Sequence, residues 1–137
     1  MSLFSIFDVA GSSLAAQNIR LNTTASNLAN AESISSSTEQ TYRARQPVFG
    51  QMLAAYDSAP GVSAVRVLGV VESQAPLRQE YQPDHPLANE EGYIFKPNVN
   101  VVEEMANMIS ASRAYQNSIE VMNAAKQMML RTLSLGE

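Results

Sequence analysis

The chain has one histidine, His85, as its first candidate for acid–base or metal chemistry. Asp84 precedes it, and Glu90 and Glu91 follow. That spacing matches no metal-binding motif. Pro83 and Pro86 bracket the imidazole, so His85 reads as a turn residue. Glu103 and Glu104 are adjacent carboxylates. A general acid–base pair must face across a cleft, whereas neighbours on a helix point about 100° apart. These two read instead as acids at a helix start, where they meet the positive end of the helix dipole. The glycines are scattered and form no phosphate-cradling loop. Serines are plentiful, but a single histidine in a proline-bounded turn does not assemble a Ser-His-Asp triad. The absence of cysteine excludes disulfides, thiolate metal sites and a thiol nucleophile. No catalytic, cofactor-binding or metal-ligating residue is therefore assigned, and the sequence reads as non-enzymatic.

Pattern, rather than chemistry, carries the information. Residues 98–135 contain neither proline nor glycine. Val101, Met105, Met108, Ser112, Tyr115, Ile119, Met122, Lys126, Met129 and Leu133 follow alternating spacings of four and three, and eight of the ten are apolar. A helix packed against another helix requires this 3.5-residue repeat. The methionines in it suit irregular apolar gaps and do not form a cofactor box. At about 1.5 Å per residue the helix is roughly 55 Å long, too long for a small domain to cover alone. Arg113, just off the seam, is placed to pair with a partner chain.

The first 31 residues supply a first partner. Phe7, Leu14, Leu21 and Leu28 stand seven residues apart, with Phe4, Gly11, Asn18 and Ala25 at the alternate positions. Asn18 in that seam is expected to fix register at some cost in stability. Ser2 or Ser5 is the expected cap at the start. Asn27 to Ala31 (NLANA) ends the helix, because asparagine hydrogen-bonds nearby backbone. Through Ala31 the only charges are Asp8 and Arg20, fewer than a solvated helix carries.

All six prolines fall between Pro47 and Pro97, so the middle of the chain is irregular. Residues 32–41 (ESISSSTEQT) read as a loop or mobile linker. Residues 42–49 (YRARQPVF) read as extended, with Pro47 at an edge. Residues 49–56 fit either a short helix or a continuing strand. Residues 62–72 (VSAVRVLGVVE) form the strongest strand, broken at Gly69. Residues 76–86 are turn-rich, and Tyr93 to Phe95 is a short apolar run before the turn at Pro97. The expected fold is mainly α: long N- and C-terminal helices paired as a coiled coil, with a small irregular, β-containing middle. The expected division is 1–31, 32–97 and 98–137.

The net charge is −4 and the pI about 5.0, without the basic patch that nucleic acid needs. No basic region precedes the N-terminal apolar residues, so no cleaved signal is expected. No run approaches the roughly 18 apolar residues of a membrane span. A lipid-binding helix would carry a face rich in Lys or Arg, which the tail lacks, so direct lipid insertion is not expected.

Residues 92–129 (GYIFKPNVNVVEEMANMISASRAYQNSIEVMNAAKQMM) closely resemble the C-terminal segment of bacterial flagellar rod proteins. The NLANA run of the head is similar to the N-terminal signature of the rod, hook and hook-associated axial family. YRARQPVF and residues 81–93 (YQPDHPLANEEGY) also resemble a proximal-rod subunit in place and order. This resemblance implies a structural subunit that assembles helically into a drive shaft around an export channel. It implies terminal helices packed in an inner domain, export without a cleaved signal, and a periplasmic rod within the basal body. It implies as partners the chain itself, other rod subunits, and membrane-ring and export-gate components with their adaptor. Phe49 and Leu53 resemble the gate-recognition pattern of rod and hook substrates, a phenylalanine followed four residues later by an apolar residue.

The expected assembly residues are Phe4, Phe7, Leu14, Leu21, Asn27, Leu28 and Asn30 of the head. In the tail they are Val101, Met105, Met108, Tyr115, Ile119, Met122, Met129 and Leu133. The alternative from another class is a helical adaptor that binds one partner and never polymerises. An enzyme acting on cell-wall material is a second rival, and adjacent Glu103 and Glu104 argue against it.

Overall fold

The computed structural model describes residues 3–53 and 63–135, with side chains at 5–52 and 63–135. Helix α1 runs Leu3–Asn30 and helix α2 Val101–Ser134, so about half of the chain is helical. Between them lie β1 (Arg45–Leu53), β2 (Ser63–Glu72), β3 (Arg78–Tyr81) and β4 (Tyr93–Lys96). The expected cap Ser5 lies inside α1, and Ser2 lies outside the described residues.

The strands form two separate antiparallel pairs, β1 with β2 and β3 with β4. Residues 49–53 continue as strand rather than turning into helix. The expected break at Gly69 takes the form of a bulge. Val48 pairs with Gly69 and Phe49 with Val67, which leaves Leu68 without an opposite residue. Gly50 makes room for it, since a Cβ there would lie 2.9 Å from Leu68 Cγ.

Strand β3 falls in a stretch read as turns. Arg-Gln-Glu-Tyr is exposed along its whole length, so no alternation announces it. Pairing with β4 creates it. Lys96 Nζ reaches Glu80 Oε2 at 2.6 Å, and Tyr81 meets Tyr93 edge to face at 5.2 Å. Gly92 closes the intervening loop at φ +81°, where a Cβ would strike Tyr81. The serine-rich segment is also tied down: Ser35 exchanges both main-chain hydrogen bonds with Phe95, each 3.0 Å.

Three elements meet at an elbow built by asparagines. Asn27 is 1% exposed. Its Nδ2 donates to Arg45 O at 2.8 Å, and its Oδ1 accepts the Arg45 N–H at 2.9 Å and the Tyr42 hydroxyl at 2.8 Å. The amide thus pairs with the Arg45 main chain as a neighbouring strand would. Asn98 acts similarly: its Oδ1 accepts the Ala44 N–H at 2.8 Å, and its Nδ2 donates to Ala75 O at 2.9 Å. Asn100 then caps α2 by accepting from Val102 N and Glu103 N. Ala31, Ala44 and Val99 form the small apolar centre under these bonds, with Tyr42 against them.

Asn27→Ala, at a site 1% exposed, leaves the Arg45 main chain and the Tyr42 hydroxyl short of partners. An expected loss of about 2–3 kcal/mol follows, read as a lower urea midpoint. The exposed Lys96–Glu80 pair holds the Glu80 carboxyl below its usual value of 4.5 through hydrogen bonds from Lys96 and then Gln82. Its contribution is present above that value and fades as pH falls through the lowered one. Carbon-13 NMR should show Glu80 titrating below 4.5, and rising toward it in Lys96→Met.

Candidate assembly interface

The two helices pack antiparallel. Ser13 Oγ lies 3.0 Å from Ser118 Oγ, and Arg20 Nη2 donates to Asn107 Oδ1 at 3.1 Å. On α1 the buried line includes Ala10, Thr24 and Asn27 and passes through Ser13 and Arg20. On α2 it runs through Glu104, Ala111, Ser118 and Ala125. Half-buried Met108, Tyr115, Met122 and Met129 complete the α2 seam, again with spacings of four and three.

Half of this seam is the expected one; at the alternate positions it uses Glu104, Ala111, Ser118 and Ala125 in place of Met105, Ser112, Ile119 and Lys126. Met105, Ile119 and Leu133 stand outside it, at 54%, 38% and 72% exposure, and Val101 is exposed as well. Ser112 is half-buried and Lys126 exposed. On α1, Phe7, Leu14, Leu21 and Leu28 are half-buried at its margin. Asn18 and Ala25 are exposed, and Asn18 bonds only its neighbour Asn22. Asn18 therefore does not set the register of the pair; the contact between Arg20 and Asn107 crosses the seam instead. Two causes rotate the helices. Alanine and serine allow closer approach than methionine and isoleucine. Helix α1 must also bury Ala16 and Thr23 beside the hairpin, so its second covered face competes with the first.

The larger apolar residues are consequently gathered beside the seam. At about 100° per residue, Phe7, Leu14, Leu21 and Leu28 form one line on α1. Met105, Ile109, Ile119, Leu130 and Leu133 form the adjoining line on α2, each at least 38% exposed. A second exposed line, Val121, Met128 and Leu135, follows the other flank of α2. Apolar surface on so many sides of one helix marks it for burial in protein. Phe4 belongs to the α1 helix, but its side chain lies outside the described residues.

The remaining site residues fall elsewhere. Asn27 is engaged wholly within the chain, and Asn30 Nδ2 donates to Ser26 O. Phe49 lies in β1, 41% exposed, and lines a cavity of about 280 Å³ with Arg20, Thr24, Glu104 and Asn107. Leu53 pairs with Ser63 through its main chain; its side chain lies outside the described residues. Arg113 is exposed on α2. Sequence reasoning missed Tyr42, Arg45 and Asn98, the partners that make the elbow. Asn98, one turn before the helix and close to a proline, was the visible signal.

His85 Nδ1 accepts the Leu87 N–H at 3.1 Å, as a turn residue does. Among the described residues no group of acids and histidine is arranged to hold a metal, and no helix is long and apolar enough to cross a membrane.

Comparison with known proteins agrees with both ends and with the whole length. Residues 90–135 match the flagellar basal body rod FlgEFG protein C-terminal family, and residues 7–32 the flagella basal body rod protein family. The chain is 54% identical to the flagellar basal-body rod protein FlgC of Salmonella typhimurium over 139 aligned positions, covering all of both chains. It is 54% identical to FlgC of Escherichia coli O157:H7 and 50% to that of Yersinia enterocolitica, again over the full length of each. The chain belongs to the flagellar basal-body rod protein family, and is a structural rod subunit rather than an enzyme.

Proposed function

We propose that the chain assembles helically, with copies of itself and with other rod subunits, into the proximal rod of the basal body. The rod acts as drive shaft and as a channel for later export substrates. Residues 1–31 and 98–137 form the inner, axial part, paired as a coiled coil, and residues 32–97 lie outward against neighbours. The observation that carries this reading is the apolar line beside the seam, half-buried on α1 and exposed on α2. Leu14, Leu21, Met105, Ile119 and Leu133 lie beside the seam that their own chain uses, where only another subunit covers them. The mixed seam, with serine, alanine and methionine, suits this division, since it leaves the leucines and isoleucines of both helices at its edge.

The chain reaches the periplasm unfolded through the flagellar export apparatus, without a cleaved signal. Phe49 and Leu53 act in recognition at the export gate, where the adaptor and ring components meet the chain. In the folded subunit the main chain of both residues is paired with β2. The gate therefore reads this segment before the hairpin forms.

Leu21→Asp with Ile119→Asp is expected to abolish rod assembly and swimming while the chain is still exported. Immunoblotting of periplasm and purified basal bodies checks this, and normal motility would sink the reading. Phe49→Ala is expected to lower export several-fold with little change in the helicity of the purified chain. Undiminished secretion would remove Phe49 from recognition.

A further inference from the structure

The chain has seven methionines and neither cysteine nor tryptophan. Cysteine is the side chain that peroxides attack first, so in this chain an oxidant is left with the methionine thioethers. Met1 lies outside the described residues, and the other six divide evenly. Met52, Met105 and Met128 are 51%, 54% and 50% exposed. Met108, Met122 and Met129 are half-buried along the seam between α1 and α2. On α2 the two sets are close neighbours. Met105 and Met108 stand about 60° apart around the helix, and Met128 and Met129 about 100°. One member of each pair belongs to the seam, and the other stands outside it.

The surroundings of the exposed set are apolar. Met105 lies about one turn from Val101, Val102 and Ile109, all exposed. Met128 falls on the line of Val121 and Leu135. Met52 stands on the hairpin, in β1.

We infer that Met52, Met105 and Met128 are oxidation sites, and that oxidation of the two on α2 decides whether the chain can assemble. The oxidant is a peroxide, which transfers one oxygen atom to sulfur. A sulfur lone pair forms the new S–O bond, the O–O bond breaks, and the second oxygen leaves as water after taking up a proton. The thioether loses two electrons and the peroxide gains them. The product is methionine sulfoxide, a polar and chiral side chain. On the free chain its oxygen stands in water. The contact between α1 and α2 persists, because Met108, Met122 and Met129 keep their thioethers. Beneath a neighbouring subunit the same oxygen leaves water for apolar surroundings, which is unfavourable unless a donor meets it. Oxidation thus disables the chain for assembly while leaving it folded, and enzymatic reduction of the sulfoxide restores it. The consequence for assembly rests on the proposed rod function; the order of oxidation does not.

The sites are tested on the full-length chain with limiting hydrogen peroxide, followed by trypsin and fragmentation by mass spectrometry. Trypsin leaves Met105 and Met108 on one peptide, residues 79–113, and Met128 and Met129 on another, residues 127–131. Each peptide therefore carries its own control. The expected result is several-fold more sulfoxide at Met105 than at Met108, and at Met128 than at Met129, with the helicity of the chain unchanged. Equal oxidation within each peptide overturns the assignment of the sites. The consequence is tested in cells. Met105→Gln with Met128→Gln places a polar side chain of similar length at both positions, and Met105→Leu with Met128→Leu an apolar one. At equal periplasmic levels, the glutamine variant is expected in purified basal bodies at several-fold lower amounts than the leucine variant. Equal incorporation overturns the control of assembly, while the rod reading stands. Absence of the unaltered chain from basal bodies overturns the rod reading and the control of assembly together, and the peptides still decide the sites.

Discussion

The amide of Asn27 is the interaction on which the arrangement depends. Helix α1 ends three residues later, and the chain must turn, start a hairpin and leave room for α2. A helix cannot hydrogen-bond laterally through its main chain, because its N–H and C=O groups run along its own axis. A buried side-chain amide can. Asn27 offers one donor and one acceptor to the main chain of Arg45, and fixes the first residue of β1 against the last turn of α1. Asn98 repeats the device from the other side, on Ala44. Main-chain groups of two consecutive residues at the root of the hairpin are satisfied in this way, in a region with little apolar volume to hold it.

From that root the hairpin must lie along α1, and this settles the rotation of the helices. A helix covered on one face can turn its largest apolar residues into the seam. One covered by a hairpin as well as a second helix has to divide its surface. Alanine, serine and threonine share the contacts between α1 and α2 with half-buried Met108, Tyr115, Met122 and Met129, while leucine, isoleucine and Met105 are left beside them. The chain gives up burial that a single covered face would bring, and leaves apolar surface on the outside of the helix pair. Such a compromise makes sense for a chain whose final environment is other protein.

Glu104 marks where the division is least settled. It is 8% exposed, yet its carboxylate has no hydrogen bond or ion pair among the described residues. Arg20, on the same cavity, is bonded to Asn107 instead. The cavity borders Phe49 and both helices, so the charged groups lie at the junction of all the larger elements rather than in a cleft suited to catalysis.

The sequence by itself determined the two helices, their ends near Asn30 and Val101, the strand at 63–72 and the family, because heptad spacing, proline placement and local motifs are properties of the chain alone. It also determined that apolar surface exceeds what one subunit can bury. Tertiary structure alone decided which line of each helix faces inward. Both seams contain Met108, Tyr115, Met122 and Met129, and they differ by one residue only at the alternate positions, a rotation of about 50°. No periodicity distinguishes them, since the choice comes from the hairpin that claims the other side of α1. Strand β3, the tether at Ser35 and the clamp on Arg45 were likewise out of reach. Each depends on a partner distant in sequence, and polar residues such as these acquire their meaning only when the fold brings that partner to them.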